Sequence, residues 1–454
     1  MKINCILKDK FKKLKLSSGF KRYFLNTGWL LFNNVFGMVI ALFVGIYVAR
    51  YLGPANFGLL SYAGSFVGLF SALVTLGLDN IVVRELVKDE KKRDELLGTT
   101  FILKIIGSIL VLIIIVIAVR FTNNDSFTNL LIFIIAIGTI FQSFNVIQFY
   151  FQAKVLSKYT VYAQIFATIL CSVIKLLLIH LNMGLIYFAM VTLIQSIILA
   201  LGFVAMYIKQ KLNLFNWRPK FDLARFLLKD SWPLILSGIA ISIYMKIDQV
   251  MIKNMLDAKA VGNYAVAVRL SEVWYFIPMA ITNSLFPAII NAKKQSEELY
   301  YARLQRLYDL MVWMVIAVAL PVTFLSDWIV KILYGQAYIE AAKVLMIHVW
   351  AGVFVASGVV TANIVIIRNK QIFGLICTTI GAISNIIFNF LLIYKLNIIG
   401  AAIATIIAQI ISGFIIPLFL VIDEKYPQIA LKSLLTIGLW RLKYVNFNKS
   451  NKHL

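Results

Sequence analysis

The sequence predicts an all-α integral membrane protein with twelve transmembrane helices, divided into two sets of six, and with both termini in the cytoplasm. Three observations predict it. The 454 residues are 61% hydrophobic and only 14% charged, whereas a soluble domain is about 45–50% apolar and about 25% charged. Twelve apolar runs recur along the chain, each near the ~20 residues that a helix needs to cross a bilayer. The Lys and Arg residues fall unevenly on the two sides that those runs define.

The runs span roughly 26–49, 58–82, 98–120, 128–152, 159–181, 184–208, 230–252, 262–290, 307–330, 342–366, 371–395 and 398–421. Residues 1–24 hold eight Lys/Arg and form a basic tail. The apolar run that follows is too long for a signal-peptide core and lacks a small-residue cleavage site, so it reads as an uncleaved helix whose start stays inside. With that start inside, the inner tails and loops hold 33 of the 44 Lys/Arg and the outer loops hold seven. Such a bias places both ends in the cytoplasm. The connection 209–229 separates the N-terminal six-helix lobe, 25–208, from the C-terminal six-helix lobe, 230–422. It contains WRPKFDLARF, whose Trp217 and Phe221 among basic residues suit an interfacial helix. Residues 423–454 read as a second basic tail at the membrane surface or without fixed structure.

The net charge of +24 would point to nucleic acid in a soluble protein. Here basic cytoplasmic loops beside anionic membrane lipid account for it, and no nucleic-acid partner is expected. Cys5, Cys171 and Cys377 are scattered and odd in number, which fits neither a disulfide framework nor a metal site. No HExxH, CxxC or GxxxxGK[ST] occurs. No metal and no cofactor are expected.

The halves carry traces of a repeat. A shift of 204 residues superposes Leu52 on Leu256, Gly58 on Gly262 and Ala63 on Ala267. A shift of 216 superposes Gly184 on Gly400 and Ser196 on Ser412. Transporters are often built from such repeats, with the substrate site between them.

The stretch YMKIDQVMIKNMLDAKAVGNYAVAVRLSEVWYFIP, residues 244–278, is a helical hairpin with four charges, Lys246, Asp248, Arg269 and Glu272. Each would cost about 2.5–3.5 kcal/mol at a bilayer centre on insertion scales, so they must pair, face water or bind something charged. This stretch, together with ARYLGPANFGLLSYAGSFVGLFSALVTLGLDNIVVREL at 49–86 and GAAIAT at 400–405, resembles the Wzx-type polysaccharide-unit flippases. These belong to the multidrug/oligosaccharidyl-lipid/polysaccharide exporter superfamily. The resemblance implies two six-helix lobes around a central cavity and alternating access. It also implies export of a glycan on undecaprenyl diphosphate in a bacterial inner membrane, for O-antigen or capsule assembly, and other polysaccharide-assembly membrane proteins as partners.

For such a cargo the diphosphate needs cations. Arg269 is the first choice, because a planar guanidinium fork matches phosphate oxygens. Lys246 and Lys175 follow. Asp248, Glu272 and Asp79 are the acidic choices for Na⁺ or H⁺ coupling or for a charge network. The plainer readings stand beside these. Arg269 and Glu272 are i,i+3 and can neutralise each other. Asp79, with Asn80, Arg84 and Glu85, can be an inner interface anchor. Asn33 and Asn34 either face the cavity or bond between helices. Lys104, near the inner end of its span, can snorkel to the interface. Pro278 and Pro287 remove backbone donors within the eighth span and are hinge choices. The competing functions are an ion-coupled multidrug exporter, a membrane glycan polymerase or acyltransferase, and a structural or receptor protein. An enzyme would need a catalytic His in the membrane or a large external site, and a receptor would leave four buried charges unexplained.

Overall fold

The computed structural model describes residues 18–368, 370–420 and 425–435, and most of the two basic tails lies outside them. Those residues are almost wholly helical. The helices are α1 (Ser18–Gly68), α2 (Ser71–Thr75), α3 (Asp79–Lys88), α4 (Arg93–Val119), α5 (Ser126–Phe141), α6 (Val146–Ala153), α7 (Lys158–His180) and α8 (Leu185–Lys209). They continue as α9 (Phe221–Met255), α10 (Ala258–Glu272), α11 (Phe276–Gln295), α12 (Glu297–Tyr334), α13 (Glu340–His348), α14 (Ala351–Ile367), α15 (Gln371–Ile410), α16 (Ile416–Phe419) and α17 (Tyr426–Leu435). Ten stretches among the described residues are long and apolar enough to cross a membrane. In hydrocarbon every backbone polar group needs an internal partner, and a helix supplies all of them within one segment. The chain is an all-α, multi-pass membrane protein.

Two of the long helices, α1 and α15, contain a residue with non-helical backbone angles. In α1 it falls at Gly53, with φ 70 and ψ 171, just before Pro54. Glycine tolerates that positive φ, and proline cannot supply the donor a continuous helix would require. In α15 it falls at Asn397, with φ 52 and ψ −140. Both breaks coincide with boundaries drawn from the apolar runs, at 49/58 and 395/398.

Contacts group the chain into two compact units. The first comprises Met1–Gly45, Leu73–Ile117 and Phe133–Trp232. Its core joins Ile81, Val82 and Leu86 of the amphipathic α3 to Val146, Ile147 and Phe151 of α6 and to Phe203 and Tyr207 of α8. The connection after α8 docks on this core. Trp217 packs edge-on against Phe101 and Tyr207, at 5.3 and 5.8 Å between ring centroids. Its Nε1 donates to the Tyr207 hydroxyl at 3.2 Å. Trp217 is thus half-buried, with its ring and its N–H both partnered against this core. Phe221 stays exposed.

The second unit comprises Ile46–Ala72, Ala118–Ile132 and Pro233–Leu454. Its core is built on α12, with Tyr308, Met311 and Val315 against Val353, Ala356 and Val360 of α14. The segment 426–435, read in the sequence as part of the basic tail, is α17, and it buries Tyr426, Ile429 and Ala430 in the same core. The amide of Gln305 donates to Ser433 at 2.6 Å and thereby holds α17 to α12.

Within this unit the end of α1 meets the start of α10 without intervening side chains. A Cβ on Gly58 would stand 1.8 Å from the carbonyl oxygen of Ala258, and a Cβ on Gly262 would stand 2.0 Å from that of Pro54. Only glycine permits such backbone approach. The contact is reciprocal. Pro54 and Gly58 shifted by 204 are Ala258 and Gly262, so each half presents the same two positions to the other. That reciprocity supports the duplication traced in the sequence.

Candidate functional site

Asp248 lies on α9 and is only 6% exposed. Three side chains from two other helices converge on it. The hydroxyl of Tyr264 on α10 donates to Oδ2 at 2.6 Å, and that of Thr405 on α15 donates to the same oxygen at 2.8 Å. The amide of Asn389, also on α15, donates to Oδ1 at 2.6 Å and to Asn385 Oδ1 at 3.0 Å. The break at Asn397 lets one helix present Asn385 and Asn389 on one side of it and Thr405 on the other. Every bonding partner is neutral. Asp248 forms no ion pair among the described residues. Asn389 Oδ1 and Asn385 Nδ2 are buried without a hydrogen-bond partner.

The cluster opens on a cavity of about 520 Å³ in the same unit. Tyr244, Asp248, Glu272, Tyr275, His348 and Gln409 supply its polar wall, and the remainder is mostly apolar, with no Lys or Arg lining it. His348 is buried, and its Nδ1 lies 2.7 Å from the hydroxyl of Ser271. Its ring stands edge-on to Tyr264 at 6.1 Å.

The other acidic residue of the hairpin, Glu272, lines this cavity. It forms no ion pair with Arg269 among the described residues. The guanidinium of Arg269 instead lies 5.5 Å from the centroid of the Phe57 ring. The mutual neutralisation that i,i+3 spacing allows is thus not used, because a ring from α1 takes the guanidinium face. Arg269 is exposed. Lys246 is half-buried, and its Cγ lies 3.4 Å from where a Cβ on Gly68 would stand. It forms no ion pair among the described residues.

The remaining sequence choices fall elsewhere. Lys175 is half-buried on α7 in the first unit. Asp79 starts α3 and pairs with Lys104 Nζ at 3.5 Å. Lys104 does not snorkel: its side chain is 1% exposed and its ammonium sits 4.9 Å from the Phe149 ring centroid. Asn33 donates to Gln164 at 2.9 Å, a bond between helices, and its neighbour Asn34 is exposed. Pro278 is the third residue of α11, where a missing N–H has no partner to lose. The break between α10 and α11 precedes it, at residues 273–275, whereas Pro287 lies inside α11. Sequence reasoning does not single out Tyr264, Asn385, Asn389, Thr405 or Phe57. The only prior signal of the first four is polarity in apolar runs, such as the i,i+4 pair Asn385 and Asn389, and Phe57 carries none.

Comparison with known proteins places the chain in a family. Residues 24–293, more than half the chain, match the family described as polysaccharide biosynthesis protein. The chain belongs to that family. The resemblance drawn from the motifs is thereby borne out. Residues 233–391 also match the MatE family. A capsular polysaccharide biosynthesis protein, CapF, of Staphylococcus aureus is 21% identical over 85% of this chain and 96% of its own length. A probable low-salt glycan biosynthesis flippase, Agl15, of Haloferax volcanii is 24% identical over 47% of this chain, and the match spans only 46% of that relative. Among solved structures, the lipid II flippase MurJ in an inward closed conformation has a TM-score of 0.69 at 17% identity, over 92% of this chain and 93% of MurJ. An inward-facing multidrug resistance MATE family transporter has a TM-score of 0.68 at 16% identity, over 84% of this chain and 93% of its own. The fold is that of these transporters.

Proposed function

We propose that the chain is a flippase, a transporter and not an enzyme. It carries an oligosaccharide unit on undecaprenyl diphosphate from the cytoplasmic to the outer leaflet of the bacterial inner membrane, for O-antigen or capsule assembly. Family membership over residues 24–293 carries this reading. The similarity to Agl15, a probable flippase, and to MurJ, a lipid II flippase, supports it. Arg269 supplies the chemistry: an exposed guanidinium without a carboxylate partner among the described residues is free to take a phosphate fork. Lys246 and Lys175 are the supporting cations.

Alternating access moves the head group, and a downhill Na⁺ or H⁺ drives it. Asp248 is the coupling group in this reading. The two carboxylate oxygens, with the Thr405 hydroxyl beside them, are of the donor type a hard cation prefers. A buried carboxylate can equally take a proton. An acidic residue within a membrane helix marks an ion or substrate path by default. Glu272 is the second acidic group on the same cavity.

The proposed topology is twelve spans with both ends inside, the lobes being 25–208 and 230–422. In a background without native cysteines, single cysteines at Asn123 and Lys259 are expected to react with an impermeant thiol reagent in intact cells. Cysteines at Lys92 and Lys294 are expected to stay unlabelled until the membrane is opened. Labelling of the Lys92 position from outside would overturn the orientation.

Deleting the gene tests the function. The deletion strain is expected to lose a surface glycan and to accumulate its lipid-linked unit on the cytoplasmic leaflet. Unchanged surface glycan in a strain with no second flippase contradicts the reading. The MatE match favours the drug exporter as the alternative, for which the deletion would leave the glycan intact and lower drug resistance.

A further inference from the structure

Arg269 is tied to the reciprocal glycine contact through one ring. Phe57 is 3% exposed and sits under the Arg269 guanidinium at 5.5 Å. The next residue is Gly58, whose backbone lies against Ala258. On its other side Phe57 meets Tyr338 edge-on at 6.4 Å, and the Tyr338 hydroxyl donates to the carbonyl of Ala49 at 2.7 Å. Arg50 reaches the carbonyl of Ile332. Residues 49–58 are thus clamped to α10, α12 and the turn after α12 by a few specific contacts. Backbone packed on backbone does not open by degrees, since any separation loses the contact outright.

We propose that Phe57 links cargo to closure: when a diphosphate takes the Arg269 guanidinium, that group leaves the Phe57 ring and the Gly58–Gly262 contact opens. The inference rests on the reading that Arg269 meets the diphosphate. A ligand shifts a conformational equilibrium only through contacts that differ between the two states. Here the difference is explicit. In the closed state the guanidinium faces a ring, a contact of modest strength. A phosphate offers two charge-assisted hydrogen bonds in the guanidinium plane, which are stronger. The ring uses the guanidinium face and the phosphate its edge, so opening requires that the phosphate draw the group off the ring, which removes one of the contacts that hold residues 49–58 in place.

The experiment uses the full chain, with Cys5, Cys171 and Cys377 replaced by serine and spin labels at the exposed positions Asn56 and Lys259. The distance between labels is measured by pulsed electron resonance with and without inorganic pyrophosphate. In the parent the short distance dominates, and pyrophosphate builds a longer one saturably. Phe57→Leu keeps the apolar volume but removes the ring face. It is expected to raise the ratio of long to short distance about three- to thirtyfold without pyrophosphate, the range a lost cation–π contact supplies. Phe57→Tyr keeps the ring and is expected to behave as the parent. Gly262→Ala places a methyl against Pro54 and is expected to give the long distance throughout, which shows that the labels report the contact. The proposal fails if Phe57→Leu matches the parent in both conditions, or if pyrophosphate leaves the parent unchanged while Gly262→Ala separates the labels. Restoration of surface glycan in the deletion strain is scored separately. A parent chain that restores glycan while Phe57→Leu leaves the distance unchanged overturns this inference alone. A chain that restores none overturns the flippase reading whatever the distances show.

Discussion

Asp248→Asn is expected to leave the protein in the membrane at normal level and to remove ion-driven transport. The side chain accepts bonds from Tyr264, Thr405 and Asn389 at 2.6–2.8 Å. Asparagine keeps one acceptor for the two hydroxyls. Its new amide faces the amide of Asn389, and a half-turn of the Asn389 amide presents its unpartnered Oδ1 instead. That turn takes Asn389 Nδ2 away from Asn385 Oδ1, and a matching turn of the Asn385 amide brings its unpartnered Nδ2 to Asn389 Oδ1, so the number of hydrogen bonds is kept. What is lost is the charge, and with it the ability to hold a cation or exchange a proton. Coupling free energies of about 1–3 kcal/mol correspond to about 5–150-fold, and gradient-driven export is expected to fall by an amount in that range. Asp248→Ala behaves differently. Thr405 can turn to the carbonyl of Ala401 at 3.0 Å and Tyr264 to Thr405 at 3.2 Å, but the Asn389 N–H that faced Asp248 loses its acceptor, at a cost of about 1–3 kcal/mol, and a cavity is left, so the amount of folded protein is expected to fall. Export at parental rate by the asparagine variant, measured with and without an imposed Na⁺ or H⁺ gradient, removes Asp248 from coupling.

Exchanging Arg269 and Glu272 is expected to give a folded and inactive protein. A pair that merely neutralised itself would tolerate the exchange, because the i,i+3 attraction survives it. The two residues do not pair here. Arg269 faces Phe57 and Glu272 faces the cavity. The exchange moves the cation one helical turn, about 4.5 Å along the axis, and sets a carboxylate where phosphate is proposed to lie. At an effective dielectric near 20, unit charges 4 Å apart interact by about 4 kcal/mol. Reversing that sign is expected to slow glycan export by about a hundredfold or more. Arg269→Lys keeps the charge without the fork and is expected to fall between. Surface glycan measured against membrane protein level decides it, and an active exchange variant removes Arg269 from phosphate binding.

The membrane class and the charged members of the site can be read directly because each is expensive. A Lys, Asp, Arg or Glu inside an apolar run stands out against its surroundings. The neutral partners do not. Tyr264, Asn389 and Thr405 are ordinary residues in their own helices and become a site only when α9, α10 and α15 pack together. The same limit explains Arg269. Spacing along α10 offers Glu272 as its neighbour, whereas the ring it faces belongs to α1. Proline content marks the eighth span as irregular, but not where. The break falls at residues 273–275 because Pro278 fits the first turn of a new helix without losing a donor. The repeat is faint in sequence, and packing adds to it the reciprocal approach of Gly58 to Ala258 and of Gly262 to Pro54.

The most direct test of the central claim is flipping by the purified chain. The protein is reconstituted into vesicles carrying the lipid-linked diphosphate oligosaccharide on one leaflet, under a Na⁺ or H⁺ gradient. An impermeant probe then reads how much glycan has crossed. The account predicts gradient-dependent appearance of the glycan on the far leaflet, lost in the Arg269/Glu272 exchange variant. Glycan that crosses no faster than in protein-free vesicles, with the parent chain folded and the gradient intact, would contradict it.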